Sequence, residues 1–161
     1  MAIRTTYRSM IETTETFSDS DYPAVKSPPL THSGFDSRKD LDAATTPAVT
    51  KAAYFEKSLT AGAGTIDLTA LTHNGQAVDL TGLKVQCLRI KNKIGNAAMT
   101  FAEGASNGYA LLGASWLATL LAGQEITLFG NDATPDVAAG DRTIDITGTG
   151  TEQCEVSIVA G

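Results

Sequence analysis

Residues 142–160 read RTIDITGTGTEQCEVSIVA, and the fold turns on how they are read. In RTIDITG (142–148), Ile144 and Ile146 alternate with Thr143, Asp145 and Thr147. A period of two puts alternate side chains on opposite faces of a strand, one apolar and one polar. TGT then turns the chain. EQCEVSIVA (152–160) alternates again, with Cys154, Val156 and Ile158 on one face. Two half-buried strands joined by a short glycine-bearing turn read as neighbours in an antiparallel sheet.

The stretch is echoed earlier in the chain. TIDLT at 65–69 matches TIDIT at 143–147, and a Gln-Cys pair follows each, at 86–87 and 153–154. A tandem repeat fails on spacing, because Thr65 to Gln86 is 21 residues and Thr143 to Gln153 is 10. A disulfide framework is not expected either, since MAIRTTYRSMIETTETF lacks the apolar core of a secretory leader. The echo therefore reads as one half-buried strand pattern written twice, with Asp67 and Asp145 on outer faces. Cys154 reads as a small buried hydrophobe. Around Cys87 the apolar phase slips from Val85 to Leu88 and Ile90, which predicts a bulge near Gln86–Cys87 or a strand covered on both faces.

Working outward, further strands read at 52–59, 64–71, 76–80, 83–93, 97–103 and 125–129. HNG (73–75), GN (95–96) and AGQ (122–124) supply turns between them. Residues 109–121 place Leu112, Trp116 and Leu120 at helical spacing, but Gly113 and the run Ser115–Thr119 oppose a helix. A strand over 116–121 is the reading adopted. The pattern predicts an all-β fold: an antiparallel β-sandwich of eight or nine short strands, jelly-roll favoured and immunoglobulin-like the alternative.

Residues 1–51 differ in kind from 52–161. Four of the five prolines (Pro23, Pro28, Pro29, Pro47) fall there, and the apolar residues follow no period. The expectation is an extended, mostly irregular N-terminal arm over 1–51 and a β-sandwich domain over 52–161. Such an arm orders only against a partner, because alone it cannot offset its ordering entropy. A short helix is predicted at SRKDLDAAT (37–45), with Ser37 as its N-cap.

Composition narrows function. A net charge of −6 opposes general nucleic-acid binding. No apolar window is long enough for a membrane-spanning helix, and synthesis in the cytoplasm is expected. GASNG (104–108) matches the G-x-S-x-G nucleophile pattern, but His32 and His73 both precede Ser106, against the chain order such a triad needs. No enzyme and no cofactor is expected. The loop NDATPDVAAGD offers Asn131, Asp132, Asp136 and Asp141 as a weak calcium candidate, although those residue types also suit any turn. Arg89, Lys91 and Lys93 share one strand face, opposite Leu88 and Ile90. That stripe reads as a solvated face or guarded edge, or else as a docking patch for an acidic partner.

The stretches GTIDLTAL, GLKVQCLRIKN, GASNGYALLG, LLAGQEITLFGND and TIDITGTGTEQCEVSIVAG, within residues 50–161, resemble tailed-bacteriophage virion accessory proteins of the capsid cement or decoration type. The resemblance is one of texture: small, rich in Thr, Gly and Ala, turn-dense and acidic. It implies a structural protein of the virion that binds the outer surface of an icosahedral phage capsid. The major capsid protein would be its partner, and the arm would tether it across neighbouring subunits. It also implies a homo-oligomer, a trimer by the family's habit. Tyr7, Phe17, Tyr22 and Phe35 are the expected arm anchors. The competing function is a glycan- or receptor-binding fibre or tail module, with Trp116, Tyr109 and Phe129 as candidate stacking residues.

Overall fold

A computed structural model describes residues 3–15, 30–129 and 133–161. Its strands are β1 (Thr5–Glu15), β2 (Leu30–Leu41), β3 (Lys51–Ser58), β4 (Ala63–Asp67), β5 (Leu71–His73), β6 (Gln76–Val78), β7 (Val85–Asn92), β8 (Met99–Glu103), β9 (Leu117–Leu120), β10 (Glu125–Phe129), β11 (Thr143–Thr147) and β12 (Gln153–Ala160). The described residues contain no helix, so the all-β expectation stands.

Eight strands form two four-stranded antiparallel sheets, ordered β10-β7-β12-β3 and β4-β11-β8-β9. The pairs nest: β3 lies beside β12, β4 beside β11, β7 beside β10 and β8 beside β9. First with last, second with seventh, and so inward, is a hairpin rolled up on itself. This is the jelly-roll order, not the immunoglobulin one.

The alternation read from the sequence sets the faces. Cys154, Val156 and Ile158 of β12 point inward with Leu88 and Ile90 of β7. They meet Ile144 and Ile146 of β11, Ile66 of β4, and Met99 and Phe101 of β8. Each such side chain contributes about 1.5–3 kcal/mol on full burial. The slip at β7 is a bulge: Val159 pairs with Cys87 and Ala160 with Val85, leaving Gln86 as the extra, buried residue. Both cysteines are free thiols. Burial pushes Cys154 up to about 11. The HNG turn joins β5 to β6 as expected, with Asn74 and Gly75 at φ 49° and 75°.

Three buried polar groups brace the sandwich. Tyr109 donates from its hydroxyl to the Pro135 carbonyl (2.7 Å) and accepts from the Val85 N–H (3.1 Å). Trp116 donates its indole N–H to the Tyr109 carbonyl at 2.8 Å. Asn92 donates to the carbonyls of Ala97 (2.9 Å) and Leu120 (3.0 Å), tying the end of β7 to the far sheet.

The N-terminal segment differs from its sequence reading. It is extended, but where it is described it is not irregular. β1 and β2 pair antiparallel from Thr5↔Leu41 to Glu15↔Leu30, with a bulge between Ile11 and Thr13. The helix expected at 37–45 does not form. Residues 37–41 belong to β2, where Asp40 accepts a hydrogen bond from Thr6 across the ladder (2.6 Å) instead of serving a helical turn. Asp42 then closes a turn, accepting from the Ala44 N–H at 2.8 Å. The packed body also reaches further back than 52. Leu41 and Val49 are buried against Val159, and Thr50 N–H bonds the Ala160 carbonyl at 2.9 Å.

Candidate partner interface

The outer face of the β10-β7-β12-β3 sheet carries three rows, read across the ladder. Phe129, Cys87, Val159 and Ala52 make an apolar row. Thr127, Arg89, Ser157 and Tyr54 make a mixed row, and Glu125, Lys91, Glu155 and Glu56 a charged one. The expected basic stripe is thus on the outer face, with Leu88 and Ile90 buried beneath it. It is not a positive patch, however. Arg89 meets Glu125 at 2.5 Å and Glu155 at 3.8 Å, and Lys93 meets Glu56 at 2.6 Å. Lys91 sits in register between Glu125 and Glu155. With a carboxylate beside each cation, the face suits a guarded, solvated sheet better than a dock for an acidic surface.

The root of the ribbon covers the apolar row. Ile3, Thr5 and Tyr7 are half-buried, while Arg4, Thr6 and Arg8 are exposed. The Tyr7 ring lies 3.5 Å, centroid to centroid, from that of Phe129, at an interplanar angle of 48°. Ile3 joins Leu41, Val49 and Val159 in a small second core. Tyr7, expected to anchor on a partner, is therefore spent on the chain's own body. The period-two alternation of β1 explains this, since it turns residues 3, 5 and 7 towards the sheet. A cleft of about 370 Å³ remains between the root and the mixed row, lined by Thr5, Tyr7, Tyr54, Arg89 and Ser157 among others.

Beyond Tyr7 the ribbon leaves the body. Residues 8–14 of β1 are exposed on both faces, including Met10 (53%) and Ile11 (65%). Met10 and Ile11 pair in register with Asp36 and Phe35. Phe17 and Tyr22 lie outside the described residues, and Phe35 is placed only as a position on β2. The sequence reading did not single out Met10 and Ile11. The signal was an adjacent apolar pair in a stretch otherwise polar from Thr5 to Glu15, apart from Tyr7.

Where they are described, the other candidates hold loops and turns in place. Asp136 pairs with Lys84 at 3.0 Å, Asp141 closes a backbone bridge with Ala138, and Asn131 and Asp132 lie outside the described residues. Among the described residues no group of three or more His, Cys, Asp or Glu stands where it could hold a metal ion. GASNG is strapped to the head of β11. The Thr143 hydroxyl donates to the Ser106 carbonyl at 2.5 Å, and the Asn107 carbonyl accepts from the N–H groups of Arg142 and Thr143. Asp145, read as a solvating outer-face residue, accepts from the Thr65 hydroxyl and from the Ala105 N–H, both at 2.8 Å. It fixes that loop to the sheet. Comparison of the chain with protein-family models, with curated proteins and with solved structures found no match.

Proposed function

We propose that the chain is a structural module that fastens to a larger protein assembly through its β1–β2 ribbon. The assembly is the outer surface of an icosahedral phage capsid, where the ribbon reaches from the jelly roll over neighbouring subunits of the major capsid protein. One observation carries the reading: a two-stranded ribbon that projects past Tyr7 with Met10 and Ile11 exposed. Two strands alone are marginal in water, and apolar side chains on them gain only when a third surface covers them. A jelly-roll body with a projecting strap fits bridging, because many weak copies around a shell add up to strong attachment. The jelly roll recurs in capsid and lectin domains, so the body alone does not choose between those roles; the strap favours the first.

The test is co-sedimentation with shells of the phage whose genome encodes the chain. Deleting residues 1–35 should abolish attachment while the body keeps its sheet circular dichroism. Replacing Met10 and Ile11 together by Asp should weaken attachment at least tenfold. A truncated chain that still decorates shells would overturn the proposal.

A further inference from the structure

We propose that β9 is a self-pairing edge. Two copies of the chain would join β9 to β9, antiparallel about a two-fold axis at Ala118, extending one four-stranded sheet into a continuous one across both copies.

The two sheets of the sandwich have four edges: β10, β3, β4 and β9. Three are guarded. On β3, the His73 ring nitrogen lies 3.2 Å from the Tyr54 backbone N, and Lys51, Glu56 and Lys57 add charge. On β10, Glu125 stands at the head and the Tyr7 ring covers Phe129 at the tail. β4 folds back against β3, with Gly64 beneath the side chains of Leu59 and Lys57. Among the described residues, β9 has none of these devices. It reads LATL, its register with β8 is unbroken, and residues 109–124 contain no charged side chain. Edge strands that stay single are normally marked by charge, proline or a bulge.

The backbone is aligned for a partner. Glu103 N–H donates to the Trp116 carbonyl at 3.2 Å, which makes 103↔116 a hydrogen-bonded pair. Antiparallel pairs alternate, so Leu117 and Thr119, opposite Ala102 and Thr100, turn their N–H and C=O groups away from β8. A second β9 centred on Ala118 sets Leu117 opposite Thr119 of the other copy and uses all of those groups.

The side chains select a like partner. Leu117 (67%) and Leu121 (58%) are exposed on the outer sheet face, and Leu112 and Ile94 are exposed nearby in sequence and against Gly123 respectively. About the two-fold axis each Leu117 lies diagonal to Leu117 and Leu121 of the other copy, within reach for apolar contact. Each chain carries a net charge of −6, so copies repel at most approaches. The uncharged stretch is where they can meet without setting carboxylates against each other. A contact that matches itself is what a two-fold axis requires.

The contact uses no part of the ribbon, so it stands independently of the capsid reading. Sedimentation of the intact chain at micromolar concentration tests it. The expected result is a dimer with slowed, concentration-dependent amide exchange at Leu117 and Thr119. Thr119→Pro removes an outward N–H without touching the β8 ladder. It should halve the mass with unchanged circular dichroism, as should Leu117→Lys. A monomeric wild-type chain, or association that survives both substitutions, would overturn the proposal. Should both variants unfold, exchange at 117 and 119 that does not depend on wild-type concentration overturns it equally.

Discussion

Tyr109 serves two segments with one hydroxyl. It donates to Pro135 and accepts from Val85, and its ring is fully buried. Burial pushes its phenol up to about 12. Tyr109→Phe leaves a buried N–H and a carbonyl without partners. Urea unfolding should show a loss of about 1–3 kcal/mol. Glu152 works at the opposite end of the pH scale. The Thr149 hydroxyl, together with the N–H groups of Gly150 and Thr149, bonds its carboxylate and holds it down to about 2. A lowered folded pKa stabilises the fold above the unfolded value and loses that stability as pH falls through the folded one. Wild type should therefore melt above Glu152→Gln at neutral pH. The gap should narrow between about 4.5 and about 2, read from thermal scans at stepped pH.

At the scale of elements, glycine shows where the backbone leaves no room. A Cβ on Gly108 would lie 2.3 Å from the Gly104 carbonyl oxygen, inside the loop strapped to β11. Gly108→Ala should cost about 1–3 kcal/mol by chemical denaturation. No sequence rule finds such a contact, because it joins residues through a fold not yet known. What the sequence did disclose was periodicity. Strands where apolar and polar residues alternate, such as β11 and β12, were legible with nearly their true bounds, and the slip from Val85 to Leu88 announced the bulge at Gln86. β1 and β2 were not legible, since beyond Tyr7 β1 buries neither face and carries no alternation to read. For the same reason the facing of the side chains along β1 was hidden. Tyr7 is aromatic but turned inward, while Met10 and Ile11 are outward. The neutralised stripe at Arg89 was equally hidden, because its glutamates come from β10, β12 and β3.

For the whole molecule, the join between ribbon and body can be tested by two truncations. Removing residues 1–37 leaves Leu41 and Val49 in their small core with Val159. Loss of the half-buried Ile3 and Tyr7 should lower its melting temperature, but by less than the longer truncation does. Removing 1–51 strips both residues and uncovers Val159. The loss should be about 3–6 kcal/mol, or roughly 10 °C or more, measured by calorimetry. Equal melting of the two truncations would mean that the segment 41–51 contributes nothing to the body.

The placement of β12 between β3 and β7 bears on how the protein is made. The ribbon leaves the ribosome first, yet Val159, which its root covers, is translated more than a hundred residues later. Until Gln153–Ala160 emerges, β3 and β7 have no common neighbour and the first sheet has a gap at its centre. Sheet closure is therefore a late event in the life of each nascent chain, and a slow one, since it joins strands distant in sequence. The root of the ribbon therefore finds its seat only after the last strand is in place.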